Sequence, residues 1–374
     1  MNKKFLAVAI AASTFAAQAV AVELYNNDGT TFAVGGHVSV NLNGSEAGNT
    51  DVGTNSSRIN FTATQDLGNG FTADARGEYA LNFLDGGEES FTTRLGYIGV
   101  THEEFGRAVA GTQWAPYYDV AGVADMPIAF ASDHMYDNHG AFGTGRGDNM
   151  VSYRNGIDLA EAGAINFGLA WQGQASGEVL ESDFDKTAVL PANQANEYAY
   201  DVKDRLQATV SYSLMGATLG YAYNSGDIKD GGVTETATSH LVSASYGTYG
   251  SGLYVAGVYA SNELMNSLSA TSSDGNVGFN YLLEESNAYE AIAAYALPNS
   301  LNFSINYEMV DGELIKGGTT TTVREELALQ VEYNLTSNVV GYTGYQFDLN
   351  SKPVSGGPKV ETDDMWVIGA RVYL

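Results

Sequence analysis

Apolar and polar residues alternate along almost the whole sequence, from Thr31 nearly to the last residue. The alternation is regular in 301–309, 327–335 and 366–374, and the apolar positions of the first of these segments are Leu301, Phe303, Ile305, Tyr307 and Met309. A period of two residues predicts β-strands whose two faces differ chemically. Because one face carries charged and amide residues and the other is apolar and aromatic, the pattern favours a sheet between lipid and water.

About sixteen such strands can be counted, and an even number is typical of bacterial outer-membrane barrels. Short turns alternate with longer connections, and the longer ones lie at 44–54, 115–147, 174–202, 263–285, 311–322 and 350–362. Short turns at one rim and long loops at the other are also typical of these barrels. We therefore predict one all-β domain at 22–374, a transmembrane antiparallel β-barrel of about sixteen strands.

The first 21 residues have the pattern of a signal peptide for export. Lys3 and Lys4 precede a short apolar run, and Ala19-Val20-Ala21 matches the small-residue cleavage pattern. The run is too short to span a bilayer, and no later segment has about 18 consecutive apolar residues. We expect cleavage before Val22, passage through the periplasm and insertion into the bacterial outer membrane.

The charge balance restricts the classes of partner. Removing the two lysines of residues 1–21 lowers the formal net charge from −27 to −29, which argues against nucleic acid as a partner. The acidity fits contact with lipopolysaccharide and outer-membrane lipid through divalent cations, or simply solubility through self-repulsion. The chain has no cysteine, which excludes thiol catalysis and thiolate metal sites, and we predict no cofactor.

Charged residues share one face of the predicted strands. In 55–66, Arg58 lies on the face opposite to Ile59 and Phe61, and in 90–103 we expect Arg94 to face inward. Three residues of the second strand are expected to face outward, namely Phe91, Leu95 and Tyr97. Sixteen strands enclose an aqueous channel, whereas the interior of eight strands is filled by side chains.

Several segments resemble the trimeric general porins of Gram-negative outer membranes. Residues 22–29 are similar to the family's opening A-E-V-Y-N-K-D-G. Residues 111–114 with 118–119 resemble the entry to the family's third loop, and 152–155 resemble the strand that leaves it. Residues 286–297 resemble a late family strand, so the resemblance covers essentially the whole chain after residue 21.

This resemblance implies a homotrimer in which the third loop, 115–147, folds into each barrel and narrows it to an eyelet. The residues that match the family's pore constriction are Arg58, Arg94 and Arg146 with His37 on the wall, and Asp125 and Asp133 on the loop. The lumen wall is expected to include Arg76, Glu78 and Arg154. Opposed charges at such a constriction would select solutes by size and charge.

The chain departs from the family pattern at three places. The stretch 128–132 replaces the loop motif P-E-F-G-G, and Ala129 stands where relatives have an acidic eyelet residue. The second loop, near 85–89, is short, and it is the loop that contacts a neighbouring subunit in relatives. Relatives usually end in Phe, whereas this chain ends in Leu374.

We expect a passive diffusion channel for ions and small hydrophilic solutes, with a small preference for cations arising from the acidic vestibules. The alternative is a surface adhesin or phage receptor that uses the long loops 174–202 and 263–285. An outer-membrane enzyme is disfavoured because no nucleophile has a base in a recognisable pattern. His134 and His139 near Asp133 do not have a specific metal-ligand spacing, so no metal site is predicted.

Overall fold

A computed structural model describes residues 21–46, 48, 50–84, 91–131, 139–174, 180–182, 198–230, 233–271, 278–313, 318–350 and 363–374. Residues 1–20 of the expected signal peptide, Asp133 and His134 lie outside the described residues. The same is true of most of loops 174–202 and 350–362, of part of loop 263–285, and of the short second loop at 85–89.

The described chain is almost entirely β-strand. The strands are β1 (Val22–Asn27), β2 (Thr30–Ser45), β3 (Asp51–Gly53), β4 (Arg58–Gly68), β5 (Phe71–Leu81), β6 (Phe91–His102), β7 (Gly106–Trp114), β8 (Arg146–Asp158), β9 (Ala164–Gln172), β10 (Leu180–Ser182), β11 (Tyr198–Leu214), β12 (Ala217–Asp230), β13 (Val233–Thr248), β14 (Ser251–Glu263), β15 (Ser267–Thr271), β16 (Gly278–Leu282), β17 (Glu285–Ala296), β18 (Leu301–Glu313), β19 (Thr321–Asn334), β20 (Val339–Asp348) and β21 (Met365–Tyr373). Two short α-helices, α1 (Pro116–Ala121) and α2 (His139–Phe142), and a 3₁₀ turn (Ala160–Ala162) complete the regular structure. Among the described residues, no helix has the length and apolar character needed to cross a membrane.

Sixteen strands form a closed antiparallel barrel in the order β2, β4–β9, β11–β14 and β17–β21, which confirms the predicted fold class. Strand β2 closes the barrel because it pairs with β4 through its first part and with β21 through its second part. At the switch, Gly36 has a φ of +134°, and a Cβ there would lie 2.2 Å from the carbonyl oxygen of Arg58. Only glycine fits this position, which places the backbone of Arg58 against β2.

The two faces of the barrel wall follow the alternation in the sequence. In β18, Phe303 and Ile305 are 44% and 42% exposed on the outside, whereas Asn302, Ser304 and Asn306 are buried on the inside. Outward exposure of large apolar side chains continues around the barrel, for example at Leu206, Leu219, Val242, Leu329 and Ile368. An apolar outer belt and a polar inner face are what a barrel in lipid requires.

One predicted orientation is wrong. Leu95 is only 1% exposed and is paired with inward-facing Glu78, and Tyr97 is paired with inward-facing Arg76. The reason is a β-bulge: Glu78 lies opposite Leu95 while the next residue, Tyr79, lies opposite Thr93. The extra residue in the bulge is Arg94, so the alternation of β6 changes phase there. Phe91, before the bulge, is 59% exposed on the outer face as expected.

The third loop folds into the barrel and packs on its inner wall. Helix α1 starts with Pro116, a residue favoured in the first turn of a helix. The hydroxyl groups of Tyr117 and Ser239 on β13 lie 2.8 Å apart, and Tyr254 on β14 donates a hydrogen bond to the backbone oxygen of Val123 at 2.7 Å. An apolar cluster between the loop and the wall includes Ala115, Tyr117, Val120, Ala121, Ala124, Leu241, Tyr254, Ile292 and Val310. The loop therefore restricts the lumen from a fixed position.

Candidate pore constriction

Three arginines on adjacent strands converge on one buried carboxylate in the inner wall. Arg58, Arg76 and Arg94 lie on β4, β5 and β6. Their guanidinium nitrogens lie 3.6, 2.8 and 3.1 Å from carboxylate oxygens of Glu78, whose side chain is 1% exposed. The single carboxylate neutralises only one of the three guanidinium charges, so this group of four residues carries a net positive charge.

The bulge in β6 explains how Arg94 reaches this group. Regular alternation places one side chain of β6 opposite Glu78, whereas the bulge directs both Arg94 and Leu95 towards the inside. Leu95 then fills the wall and Arg94 extends to the carboxylate. A strand without the bulge would lack one of these two contacts.

Two more arginines lie near the same wall. Arg146 is the first residue of β8, and Arg371 on β21 donates a hydrogen bond to the backbone oxygen of Asn55 at 3.3 Å. The charges of both residues act on the guanidinium of Arg58. The positive region therefore extends from β21 across the seam of the barrel to β8.

The structure places His37 within the wall, where its side chain packs against its neighbours. His37 lies opposite Arg58 and Tyr373 in the strand register and is 3% exposed. Its ring meets the Tyr373 ring edge-on, with centroids 5.6 Å apart. In this position the ring supports the backbone that carries Arg58 and has little surface in the lumen.

Of the two predicted loop acids, Asp125 is the one that the structure describes. The hydroxyl of Tyr118 donates a hydrogen bond to Asp125 Oδ2 at 2.6 Å, and the Tyr118 ring stacks on Trp114 with centroids 4.2 Å apart. Burial, together with the adjacent Asp125 carboxylate, raises the pKa of Tyr118 well above its ordinary value. The phenol therefore stays protonated and orients the Asp125 carboxylate through this hydrogen bond.

Arg154, predicted as a wall residue, forms an ion pair with the beginning of the third loop. Its Nε lies 2.5 Å from Asp119 Oδ2 on α1, and its Nη2 donates to the backbone oxygen of Trp114 at 2.7 Å. This pair neutralises one acid and one base of the loop entrance. It also fixes α1 against β8.

Residues 128–129 of the loop are held by polar groups from two places in the chain. The backbone N–H groups of Ile128 and Ala129 donate to Glu332 Oε1 and Gln330 Oε1 at 2.9 and 2.8 Å. Asn55, which precedes β4, donates to the backbone oxygen of Ile128 at 2.5 Å. Residues 128–129 thus lie between β19 and the loop before β4.

Apolar packing completes this attachment. Ala129 is 6% exposed and packs with Tyr342 and Val367 of the wall. The Phe130 ring covers Gly344, where an added Cβ would lie 3.0 Å from the ring. The sequence differs here from the P-E-F-G-G motif, yet the loop is in close contact with the wall.

With this geometry established, comparison with known proteins identifies the family. The family model for Gram-negative porins matches residues 6–353 of the chain. The chain belongs to this porin family. It is 24% identical to outer membrane protein S2 of Salmonella typhi over 388 residues, which cover 99% of both chains. It is 27% identical to outer membrane porin N of Escherichia coli K12 over 240 residues, 63% of this chain and 62% of the relative.

Solved structures show the same fold. The Salmonella typhi OmpF complex with daunomycin aligns with a TM-score of 0.74 and 20% identity, covering 94% of this porin and all of that chain. An anion-selective porin from Comamonas acidovorans aligns with a TM-score of 0.66 and 16% identity, covering 92% of this porin and all of that chain. This porin is an outer-membrane channel for passive diffusion, as the sequence predicted.

Another part of the inner wall carries the opposite charge. Glu290, Glu308, Glu326 and Asp348 lie opposite one another in register across β17 to β20, and β20 pairs with β21. Arg324 Nε lies 3.3 Å from Glu308 Oε1 and 3.0 Å from Glu326 Oε1. Among the described residues, this strip carries four carboxylates and one bridging arginine.

The sequence prediction did not single out the residues that attach the loop. Asn55, Gln330 and Glu332 hold residues 128–129, and none of them was among the candidate site residues. Gln330 and Glu332 do lie on the polar face of the regular segment 327–335, so their inward direction was predictable. Their partners in the loop were not, because they are about 200 residues away in the chain.

A charge introduced at Ala129 should therefore disturb the loop. We expect Ala129→Glu to place a carboxylate against the wall beside Glu332, where burial of a second acid is unfavourable. The expected result in planar bilayers is a noisier channel with more frequent closures. Ala129→Ser keeps the residue small and uncharged, and this control should stay quiet. A quiet Ala129→Glu channel with altered ion preference alone would contradict this orientation of residue 129.

Proposed function

We propose that solutes cross this porin through an eyelet between a positive wall and the third loop. The wall is formed by Arg58, Arg94 and Arg146, and the loop contributes Asp125 and, outside the described residues, Asp133. The observation that carries the proposal is the group of three guanidinium groups around buried Glu78. A hydrated dipolar solute can align between opposed charges, whereas a bulky apolar solute must lose water and gains nothing.

We further propose a small preference for cations. The eyelet favours anions slightly because its three arginines outnumber the two aspartates Asp125 and Asp133, but the chain as a whole has a net charge of −27. The strip of Glu290, Glu308, Glu326 and Asp348 adds negative charge to the inner wall on β17–β20. A broad negative vestibule raises the local concentration of cations over a wider region than the eyelet itself.

We propose a homotrimer as the functional assembly. The family to which the chain belongs and the apolar outer face of the barrel support this. One of the similar solved structures, OmpT of Vibrio cholerae, is described as a trimer form and aligns with a TM-score of 0.62 and 17% identity. Association through part of the outer face would bury apolar side chains that otherwise contact lipid.

Lipopolysaccharide and outer-membrane lipid are proposed partners of the outer face near the loop rim. Asp311, Glu313 and Glu325 lie towards the loop ends of β18 and β19, and Tyr307 donates a hydrogen bond to Glu325 at 2.9 Å. Divalent cations can bridge such carboxylates to anionic headgroups. Removing divalent cations should weaken lipopolysaccharide retention by the purified protein.

The channel proposal predicts stepwise conductance in a planar bilayer. Single insertion events should produce three equal open levels that close one after another, because each subunit of a trimer contains its own pore. A reversal potential in a salt gradient then measures the ion preference, and exclusion of sized sugars measures the pore width. Folded protein that gives no ion conductance would disprove the channel, and single-level events would disprove the trimer.

A further inference from the structure

The returning part of the third loop ends in a one-turn helix whose carbonyl groups need partners. Helix α2 spans His139–Phe142 and is followed by Gly143. The last carbonyl groups of a helix accept no hydrogen bond from within the helix, so their donors must come from elsewhere. In this porin the partners come from the barrel wall.

Four wall side chains donate hydrogen bonds to this segment. We call them the carbonyl clamp, and the contacts are Gln172 Nε2 to Gly140 O at 2.7 Å, Arg205 Nη1 to Phe142 O at 3.1 Å, Asn224 Nδ2 to Phe142 O at 2.7 Å and Gln207 Nε2 to Gly143 O at 2.6 Å. The donors lie on the neighbouring strands β9, β11 and β12. Cationic and amide donors at the C-terminal end of a helix also complement its dipole.

Arg205 is the unusual member of the clamp. Its side chain is 1% exposed, and its guanidinium carbon lies 4.7 Å from the centre of the Phe142 ring. In the described part of the chain, no carboxylate forms an ion pair with it. Burial of a charge without an opposite charge is unfavourable, so an apolar residue would suit this place better if it only filled space.

The loop backbone approaches the clamp closely at Gly143. Gly143 has a φ of +60°, and an added Cβ would lie 2.3 Å from Gln172 Oε1 and 2.8 Å from Gln207 Nε2. A side chain at this position would separate the loop from its donors. The backbone conformation and the wall amides are therefore matched to each other.

The clamp lies directly before the eyelet. Arg146 follows Gly143 by three residues, and between them the backbone oxygen of Gly145 accepts a hydrogen bond from Ala115 N at 2.8 Å. Ala115 is the first residue of the loop, so the two ends of the loop are joined at this point. Movement of 140–143 away from the wall would be transmitted to Arg146 through a short stretch of backbone.

We propose that Arg205 is a positioning residue for the eyelet. It holds the returning part of the third loop against the wall, and thereby keeps Arg146 at the constriction, without contact with the permeating solute. The buried guanidinium of Arg205 has two roles in the wall. It donates a hydrogen bond to the loop backbone, and it covers the Phe142 ring. This proposal rests on the eyelet role proposed above for Arg146.

Single-channel recording of Arg205→Met in the full-length protein tests the proposal. We expect about a threefold increase in the time spent in partly closed levels, since one net hydrogen bond to Phe142 O is lost while the bond from Asn224 remains. The thermal unfolding temperature should stay unchanged or rise, because a buried charge has been removed. Arg205→Lys keeps the charge but not the guanidinium fork, and should give an intermediate effect.

Lys203→Met is the matched control, since Lys203 lies on the same strand but pairs with Asp201 in an exposed position. It should leave the closures unchanged. If folded Arg205→Met gives recordings that do not differ from those of the natural protein, the proposal is overturned. If the methionine variant does not fold, unchanged recordings from Arg205→Lys overturn it. If Arg205→Met shows no additional closures while Arg146→Ala changes the conductance, the positioning role of Arg205 is wrong and the eyelet role of Arg146 stands.

Discussion

Replacing Arg94 with alanine is expected to shift the ion preference of the porin towards cations by roughly fivefold. A unit charge at 4 Å contributes about 1 kcal/mol in a water-like dielectric, which corresponds to that ratio. Arg94 lies 3.1 Å from Glu78, so its removal also leaves the carboxylate with two guanidinium partners in place of three. The shorter side chain should widen the passage as well. The reversal potential in a salt gradient measures the first effect, and the single-channel conductance measures the second.

Arg94→Lys is the control for this change because it keeps the charge on the same strand. It should leave the permeability ratio close to that of the natural protein, although the loss of the planar guanidinium weakens its contact with Glu78. An unchanged reversal potential and conductance in Arg94→Ala would remove Arg94 from the eyelet. A shift towards anions would contradict the positive electrostatic role assigned to this wall.

The fold class was predictable because alternation is a local property of the sequence. In 301–309 the buried and exposed positions follow the pattern residue by residue. Lipid and water impose different requirements on the two faces, so each strand carries the information about its own orientation. The sixteen strands and the inward fold of the third loop were obtained in this way and from the family resemblance.

Strand β6 shows where such local reasoning fails. Its pattern predicted Leu95 and Tyr97 outside, but the bulge at Arg94 reverses the phase of the strand after Thr93. A bulge depends on how two strands pair, and that pairing is absent from the pattern of either strand alone. The same bulge brings Arg94 to Glu78, so the feature that defeats the prediction also helps to build the candidate site.

The attachments of the third loop were not predictable for a related reason. Its anchors come from separate parts of the chain, with Asn55 before β4, Arg205 on β11 and Glu332 on β19. Arg205 and Glu332 are polar residues on inward strand faces, which is ordinary for the wall of a water-filled barrel. Only the folded loop distinguishes an anchor from a solvated wall residue, because the loop determines which wall groups lose water.

An arginine on the outer face should destabilise the barrel far more than one on the inner face. Val242 lies near the middle of β13, is 48% exposed on the outside, and is paired with the outward-facing residues Tyr221 and Tyr259. Val242→Arg should therefore lower the free energy of unfolding in lipid by about 2–4 kcal/mol, the cost of a cation near the bilayer midplane. Ser245→Arg on the same strand is the control, since Ser245 faces inward opposite Thr218 and Ala256 and its arginine can reach water. Denaturant unfolding in lipid vesicles measures both variants, and equal losses would contradict the assignment of the two faces.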